Sequence, residues 1–164
     1  MCFSAQASFL ASVALFPLGV AAVGTTWNQD RRELLPLAAT PLFFSLQQAC
    51  EGFVWRWIEG PPLPSPEAPP LPVVAASLAY LFFAYAFWPV WMPLTAVALH
   101  PRNEPGNAEA GMARVWHALP WLGLVPGLWL WLPLLGDPRS AVPVPVAHSL
   151  VYTLGPWKIG RAHV

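Results

Sequence analysis

Charged residues are scarce in this 164-residue chain, making up 10% of it against 56% apolar residues. A soluble domain carries about 25% charged residues, so this chain has too few to cover a surface that faces water. Its eight Lys and Arg balance its eight Asp and Glu, which excludes a basic protein that binds nucleic acid. Two cysteines are too few for a disulfide scaffold. The composition therefore predicts an integral membrane protein whose main partner is the lipid bilayer.

Sequence motifs of catalysis are also missing. The chain has no His-x-x-x-His or Cys-x-x-Cys pair, no glycine-rich phosphate loop and no nucleophile elbow. No lysine precedes Lys158, so the chain before it has no residue for a retinal-type Schiff base. We therefore predict no metal site and no cofactor, and we favour a protein that is not an enzyme.

Uncharged apolar stretches locate the membrane spans, because about 20 apolar residues cross the hydrocarbon core as a helix. They predict an all-α, polytopic transmembrane bundle, with residues 1–157 as a single domain. Pro89 and Pro93 predict a kink in the third span. The expected spans, four complete and a fifth incomplete, are about 5–23, 34–55, 73–99, 115–135 and 141–157.

The last residues, 158–164, end in Ile-Gly-Arg-Ala-His-Val. This string matches the translation of a common sequencing adapter, so we expect it to be non-native and leave it out of fold reasoning. We expect the remainder to be a fragment of a longer bacterial protein of metagenomic origin. Its oligomeric state is left open.

Loop arginines predict the orientation of the bundle. Cytoplasmic loops of membrane proteins are enriched in Lys and Arg. This places the first and third loops in the cytoplasm, with the N-terminus outside the bacterial inner membrane. The first and third predicted loops carry Arg31, Arg32, Arg102 and Arg114, whereas the second and fourth carry Arg56 and Arg139.

Polar side chains in the second span are the strongest functional signal. Gln47 and Gln48 precede Glu51 by four and three residues, so the three share a helix face. Exposure of this face to lipid would be costly, so we expect it to point into the bundle. Neighbouring spans run antiparallel and bring further polar residues to the same depth. The predicted ligand or proton site, in the outer half of the bundle, comprises Glu51, Gln47, Gln48, Ser4, Ser8, Gln6 and Tyr80.

Helix packing is the alternative interpretation of the same polar residues. Hydroxyl and amide side chains hold membrane helices together when each is satisfied by a neighbour. The aromatic and proline residues near the kink and the span ends are expected to serve packing or the membrane interface. They are Trp55, Trp88, Trp91, Pro89 and Pro93.

Three blocks of sequence resemble a family of small bacterial multi-pass membrane proteins of unknown function. The resemblance covers the first three spans and implies the multi-span architecture, while it supplies no activity. It also implies that residues inside the blocks, Glu51 and Trp88 among them, are those to test. The blocks are Met-Cys-Phe-Ser-Ala at 1–5, Gln-Gln-x-x-Glu-Gly-x-x-Trp at 47–55, and Phe-Trp-Pro-x-Trp-x-Pro-Leu at 87–94.

Three functions follow as hypotheses. The first is a binding or transport module whose outer pocket around Glu51 takes a small ligand or a proton. The second is a structural or partner-binding subunit of the membrane. The third is an intramembrane enzyme completed by spans beyond this chain, which would need a nucleophile or a His and Asp cluster near Glu51.

Overall fold

The computed structural model describes residues 4–60, 69–99, 107–146 and 149–152. They form a predominantly helical bundle, followed by a small two-stranded hairpin. The helices are α1 (Ala5–Asn28), α2 (Leu35–Ile58), α3 (Leu71–Phe82), α4 (Trp88–Leu99), α5 (Asn107–Trp131) and α6 (Pro133–Gly136). A π-helical turn, Phe83–Phe87, joins α3 to α4, and the strands are β1 (Val144–Val146) and β2 (Ser149–Val151).

Helices α1 and α2 form an antiparallel hairpin. Ser4 caps α1, since its side chain accepts a hydrogen bond from the backbone N–H of Ala7 at 3.2 Å. The carboxylate of Glu59, just beyond α2, accepts the backbone N–H of Ala5 at 3.1 Å. The tight turn at the other end places Asp30 at a φ of 54°, a conformation that Asp tolerates better than most residues. Local capping chemistry therefore fixes both ends of this hairpin.

Two prolines remove backbone donors from the third helical segment, beside the π-helical turn. A proline has no N–H, so the carbonyl four residues earlier loses its α-helical donor. Pro89 and Pro93 release in this way the carbonyls of Tyr85 and Pro89. A side chain added at Gly127 would collide with the first carbonyl, and one at Gly123 with the second. Helix α5 thus approaches these two carbonyls through two glycines four residues apart, a spacing typical of close membrane-helix contacts.

Three described helical segments are long and apolar enough to cross a membrane: Ala5–Asn28, Leu71–Leu99 and Ala118–Gly136. The protein is therefore a helical membrane protein, which confirms that part of the sequence prediction. The predicted count of four complete spans is not matched. Helix α2 has 24 residues but is less apolar, since it carries two glutamines, a glutamate and an arginine.

The region predicted to begin a fifth span, 141–157, differs in its described part. A short 3₁₀ turn, Pro138–Ala141, leads into β1 and β2, which pair antiparallel with Val144 opposite Val151. Pro143 and Pro145 are incompatible with a helix interior, and the valine between them, Val144, favours a strand. The rest of that predicted span, 153–157, and the adapter-like residues 158–164 lie outside the described residues.

Candidate functional site: a carboxylate–tyrosine cluster

One face of α2 packs closely against α1. The hydroxyls of Ser12 and Ser45 lie 3.2 Å apart, and the Ser45 hydroxyl also donates to the Ser12 carbonyl at 2.9 Å. A Cβ added at Gly19 would lie 2.8 Å from the backbone nitrogen of Leu42. Small residues and short hydroxyl bonds thus bring the two backbones together, and Ser12 and Ser45 satisfy one another.

Another face of α2 packs against α4. The indole N–H of Trp88 donates to Oε1 of Gln47 at 2.6 Å, and that of Trp91 donates to the Thr40 hydroxyl at 3.1 Å. Gln47 follows Ser45 by two residues, so the two side chains point about 200° apart around the helix axis. Helix α2 is therefore sandwiched between α1 and the third helical segment.

Glu51 lies one helical turn beyond Gln47 and is 3% exposed. The side-chain amide of Gln48 donates to its Oε2 at 3.0 Å. Gln47 is also buried, at 8% exposed, and Gln48 is half-buried. The structure thus brings together the three residues that the sequence analysis placed on one face, and it keeps the carboxyl away from the bundle surface.

Tyrosine side chains gather near this carboxyl. The chain has three tyrosines, Tyr80, Tyr85 and Tyr152, and all three pack against one apolar cluster. The rings of Tyr80 and Tyr152 stack with their centroids 5.7 Å apart and an interplanar angle of 13°. We call Glu51, Gln47, Gln48 and the three tyrosines the carboxylate–tyrosine cluster.

Electrostatics link Tyr152 to Glu51. Burial raises the pKa of the Tyr152 hydroxyl, and the nearby Tyr80, Glu51 and Tyr85 raise it further. Tyr152 therefore lies close enough to Glu51 to sense its charge, although the two are far apart in sequence. The buried Tyr152 hydroxyl has no hydrogen-bond partner among the described residues.

The candidate residues of α1 lie elsewhere. Ser8 is completely buried beside Phe9, whose ring would be 2.9 Å from a Cβ at Gly52 in the α1–α2 contact. Ser4 serves as the helix cap described above. Gln6 is exposed, because two residues from Ser8 it points about 200° away from that contact. Ser4 and Gln6 therefore lie outside the carboxylate–tyrosine cluster, whereas the buried Ser8 hydroxyl lies in the α1–α2 contact and has no hydrogen-bond partner among the described residues.

The expected packing residues take part in the helix contacts. Trp55 is buried, at 5% exposed. Trp88 stacks on Phe44 with centroids 4.2 Å apart, and Trp91 packs edge-on to Phe43 at 4.6 Å. The indole N–H groups of Trp88 and Trp91 add the polar links to α2 described above. These tryptophans combine ring packing with hydrogen bonding.

Tyr85 and Tyr152 were not among the candidate site residues predicted from the sequence. Tyr85 lay in an aromatic run that resembles ordinary packing surface, and Tyr152 lay in a stretch that was expected to cross the membrane. A useful signal was available: tyrosine is rare here beside ten tryptophans and nine phenylalanines. A buried tyrosine needs a partner for its hydroxyl, which phenylalanine does not.

A cavity of about 350 Å³ lies between α4 and α5, and unlike the carboxylate–tyrosine cluster it is lined by apolar residues. Its wall has no charged side chain, so it supplies little to orient a polar ligand. The lining residues are Val90, Leu94, Val97, Pro120, Trp121 and Leu124. Within the described ranges, no group of three or more His, Cys, Asp or Glu residues could hold a metal ion.

Comparison with known families finds a match that covers most of the chain. The model of a family of unknown function, DUF6629, matches residues 1–113. The chain belongs to the DUF6629 family. The matched region contains α1 to α4, and so includes every residue of the carboxylate–tyrosine cluster except Tyr152. No curated protein and no solved structure is significantly similar to this DUF6629 member.

Proposed function

We propose that this DUF6629 protein is a membrane-embedded binding module, which takes up a proton or a small polar ligand at the carboxylate–tyrosine cluster. The observation that carries the proposal is the depth of Glu51, which is 3% exposed inside an apolar bundle. A carboxyl group is costly to withdraw from water. Carboxyl groups retained within membrane spans commonly mark proton or ion pathways.

The surroundings of Glu51 support a binding role. Gln48 supplies an amide donor, and Tyr152 brings a hydroxyl that has no described partner. Tyr85 lies in the π-helical turn, and such turns inside longer helices are frequent at functional sites. A polar ligand would therefore meet hydrogen-bonding groups of several kinds at one depth.

The membrane placement is part of the proposal. We take α2 as a further crossing helix, since it lies between α1 and the third helical segment and is of the same length as α1. With the loop arginines on the cytoplasmic side, Glu51 lies about 10 Å from the outer end of α2. The cluster would then open toward the outer half of the inner membrane.

A structural subunit is the second candidate. It is favoured by the bonds that tie helices together, such as those of Trp88 with Gln47 and of Trp91 with Thr40. If every polar side chain of α2 served in this way, replacement of Glu51 by an isosteric amide would change stability alone.

Infrared difference spectroscopy on the protein in lipid bilayers tests the proposal. Proton uptake or ligand binding alters the hydrogen bonding of the Glu51 carboxyl, so wild type is expected to show a carboxyl band that changes on pH titration. Glu51→Gln should remove this band while leaving the helical fold intact.

Glu33→Gln is the matched control, since it makes the same chemical change at an exposed loop carboxylate. Its spectrum should keep the band. A titrating band that survives in Glu51→Gln, or no buried-carboxyl band in wild type, would contradict the proposed function.

A further inference from the structure

The chain after α5 turns back onto the bundle. The 3₁₀ turn Pro138–Ala141 contacts α3, and Ala141, with no exposed surface, packs with Leu81 and Leu134. Trp131, at the end of α5, donates its indole N–H to the Leu78 carbonyl at 3.1 Å. The returning segment is therefore tied at its base to the helix that carries Tyr80.

Tyr152 follows the hairpin and reaches the carboxylate–tyrosine cluster. Its ring lies parallel to that of Tyr80, and its hydroxyl is buried. Glu51 and its sequence neighbours belong to α2, whereas Tyr152 comes from the chain after β2. The Tyr152 ring therefore covers one side of the cluster from a separate part of the chain. Removing the returning segment would therefore open the cluster on that side.

The returning segment has features of a movable element. Its two strands have three residues each, and a single hairpin of this size is marginally stable by itself. Val144 on β1 is 55% exposed, so the hairpin turns one side chain of this strand outward, while Pro143 before it is buried. Gly136, which precedes the turn, has no atoms near its missing side chain and leaves the backbone free to pivot.

We propose that the 3₁₀ turn and the two strands form a lid over the carboxylate–tyrosine cluster, with Tyr152 as the side chain that closes it and binds the ligand. This inference rests on the proposed function. In the closed state the Tyr152 ring covers the cluster and its hydroxyl faces inward. A bound polar ligand or water molecule would give that hydroxyl its partner, while lid opening admits the ligand.

Chemical labelling of Glu51 measures whether the lid controls access. Carbodiimides react with carboxyl groups, and mass spectrometry quantifies the modified peptide. An apolar carbodiimide tests entry from lipid, and a water-soluble one tests entry from water. In the full-length protein in vesicles, Tyr152→Ala should raise the labelling rate by one or both routes about tenfold, because losing a buried ring shifts a local opening equilibrium.

Tyr152→Phe separates closure from ligand binding. It keeps the ring, so labelling should stay within about twofold of wild type, while the pH-dependent infrared change of Glu51 weakens because one hydrogen bond is lost. Val144→Ala changes an exposed position of the same hairpin and should match wild type in both measurements.

Ala141→Leu provides a second route to an open lid. The added atoms have no space between Leu81 and Leu134, so the turn should lift and labelling should rise as in Tyr152→Ala. This variant decides the question if Tyr152→Ala does not fold. If a folded Tyr152→Ala or Ala141→Leu variant were labelled at the wild-type rate, the lid proposal would be wrong. Labelling measures only the access of reagents to Glu51. Raised labelling in the lid variants, together with no titrating Glu51 band in wild type, would therefore refute the proposed function but support the lid.

Discussion

The two packed faces of α2 differ in the polar groups that they bury and in the contacts that these groups make. Against α1, Ser12 and Ser45 bond to each other, and small residues bring the backbones close. On the Gln47 face, aromatic rings from α4 surround an amide, and the carboxyl of Glu51 lies one turn away with tyrosines nearby. The first arrangement has a structural explanation in the bonds between Ser12 and Ser45. The second retains a costly acid whose presence packing alone does not require.

The largest effect that we predict is on the α1 face, at Gly19. Leucine at this position would drive its Cβ into Leu42, so Gly19→Leu should lower the free energy of unfolding by about 1–3 kcal/mol. Equilibrium unfolding in mixed micelles measures the change. Gly24→Leu, on the same helix with no atoms near its missing Cβ, is the matched control and should be neutral. Equal losses in both variants would contradict the close contact.

An intermediate effect is expected on the other face, at Trp88. Trp88→Phe keeps an aromatic ring but leaves the buried Gln47 oxygen without its indole donor, which should cost about 1–2 kcal/mol. Trp91→Phe should cost less, because the Thr40 hydroxyl keeps its bond to the Pro36 carbonyl. The same unfolding assay compares the two variants, and a larger loss for Trp91→Phe would refute this ranking.

A smaller effect is expected for Ser45→Ala. It removes the hydroxyl bonds to Ser12 and should cost about 0.6 kcal/mol, the average for such bonds in membranes. The infrared signal of Glu51 should be unchanged, since Ser45 lies about 9 Å along α2 from Glu51 and about 120° around the helix axis. A stability loss accompanied by an altered Glu51 band would show that the two faces are coupled.

The smallest effect is expected for Glu33→Gln in the exposed turn. A hydrogen bond from Arg31 holds the pKa of Glu33 below its usual range. A lowered pKa in the folded state gives stability that is present above the usual Glu pKa and is lost as the pH falls through the lowered value. Because both partners are exposed, the change in unfolding free energy should be unmeasurable at neutral and acidic pH.

Sequence patterns account for the helices and for part of the site. Uncharged apolar stretches predicted a helical membrane protein, and the structure is predominantly helical with three described segments able to cross a membrane. The three-residue spacing from Gln48 to Glu51 corresponds to an observed hydrogen bond, and Gln47 lies one turn before Glu51 on the same helix. Hydropathy misassigned the hairpin, because an apolar segment buried by protein has the same composition as one buried by lipid.

The sequence did not predict which residues from distant parts of the chain contact each other. Proline positions indicated which carbonyls lose their donors, but that Gly123 and Gly127 would face them depends on how α5 docks. In the same way, nothing local to Tyr152 indicates that it meets Tyr80, about seventy residues earlier in the chain. Such contacts arise from the tertiary fold, so a single sequence does not specify them by period or spacing.

The three tyrosines make the central claim directly measurable, because every tyrosine of this chain lies in the carboxylate–tyrosine cluster. Biosynthetic fluorotyrosine would give ¹⁹F resonances from this site alone. We predict that in bilayers the Tyr152 resonance moves with pH in step with the Glu51 infrared band, and that Glu51→Gln abolishes this step while Ser45→Ala preserves it. Tyrosine resonances that ignore pH below their own ionisation, or that titrate unchanged in Glu51→Gln, would contradict a functional role for Glu51.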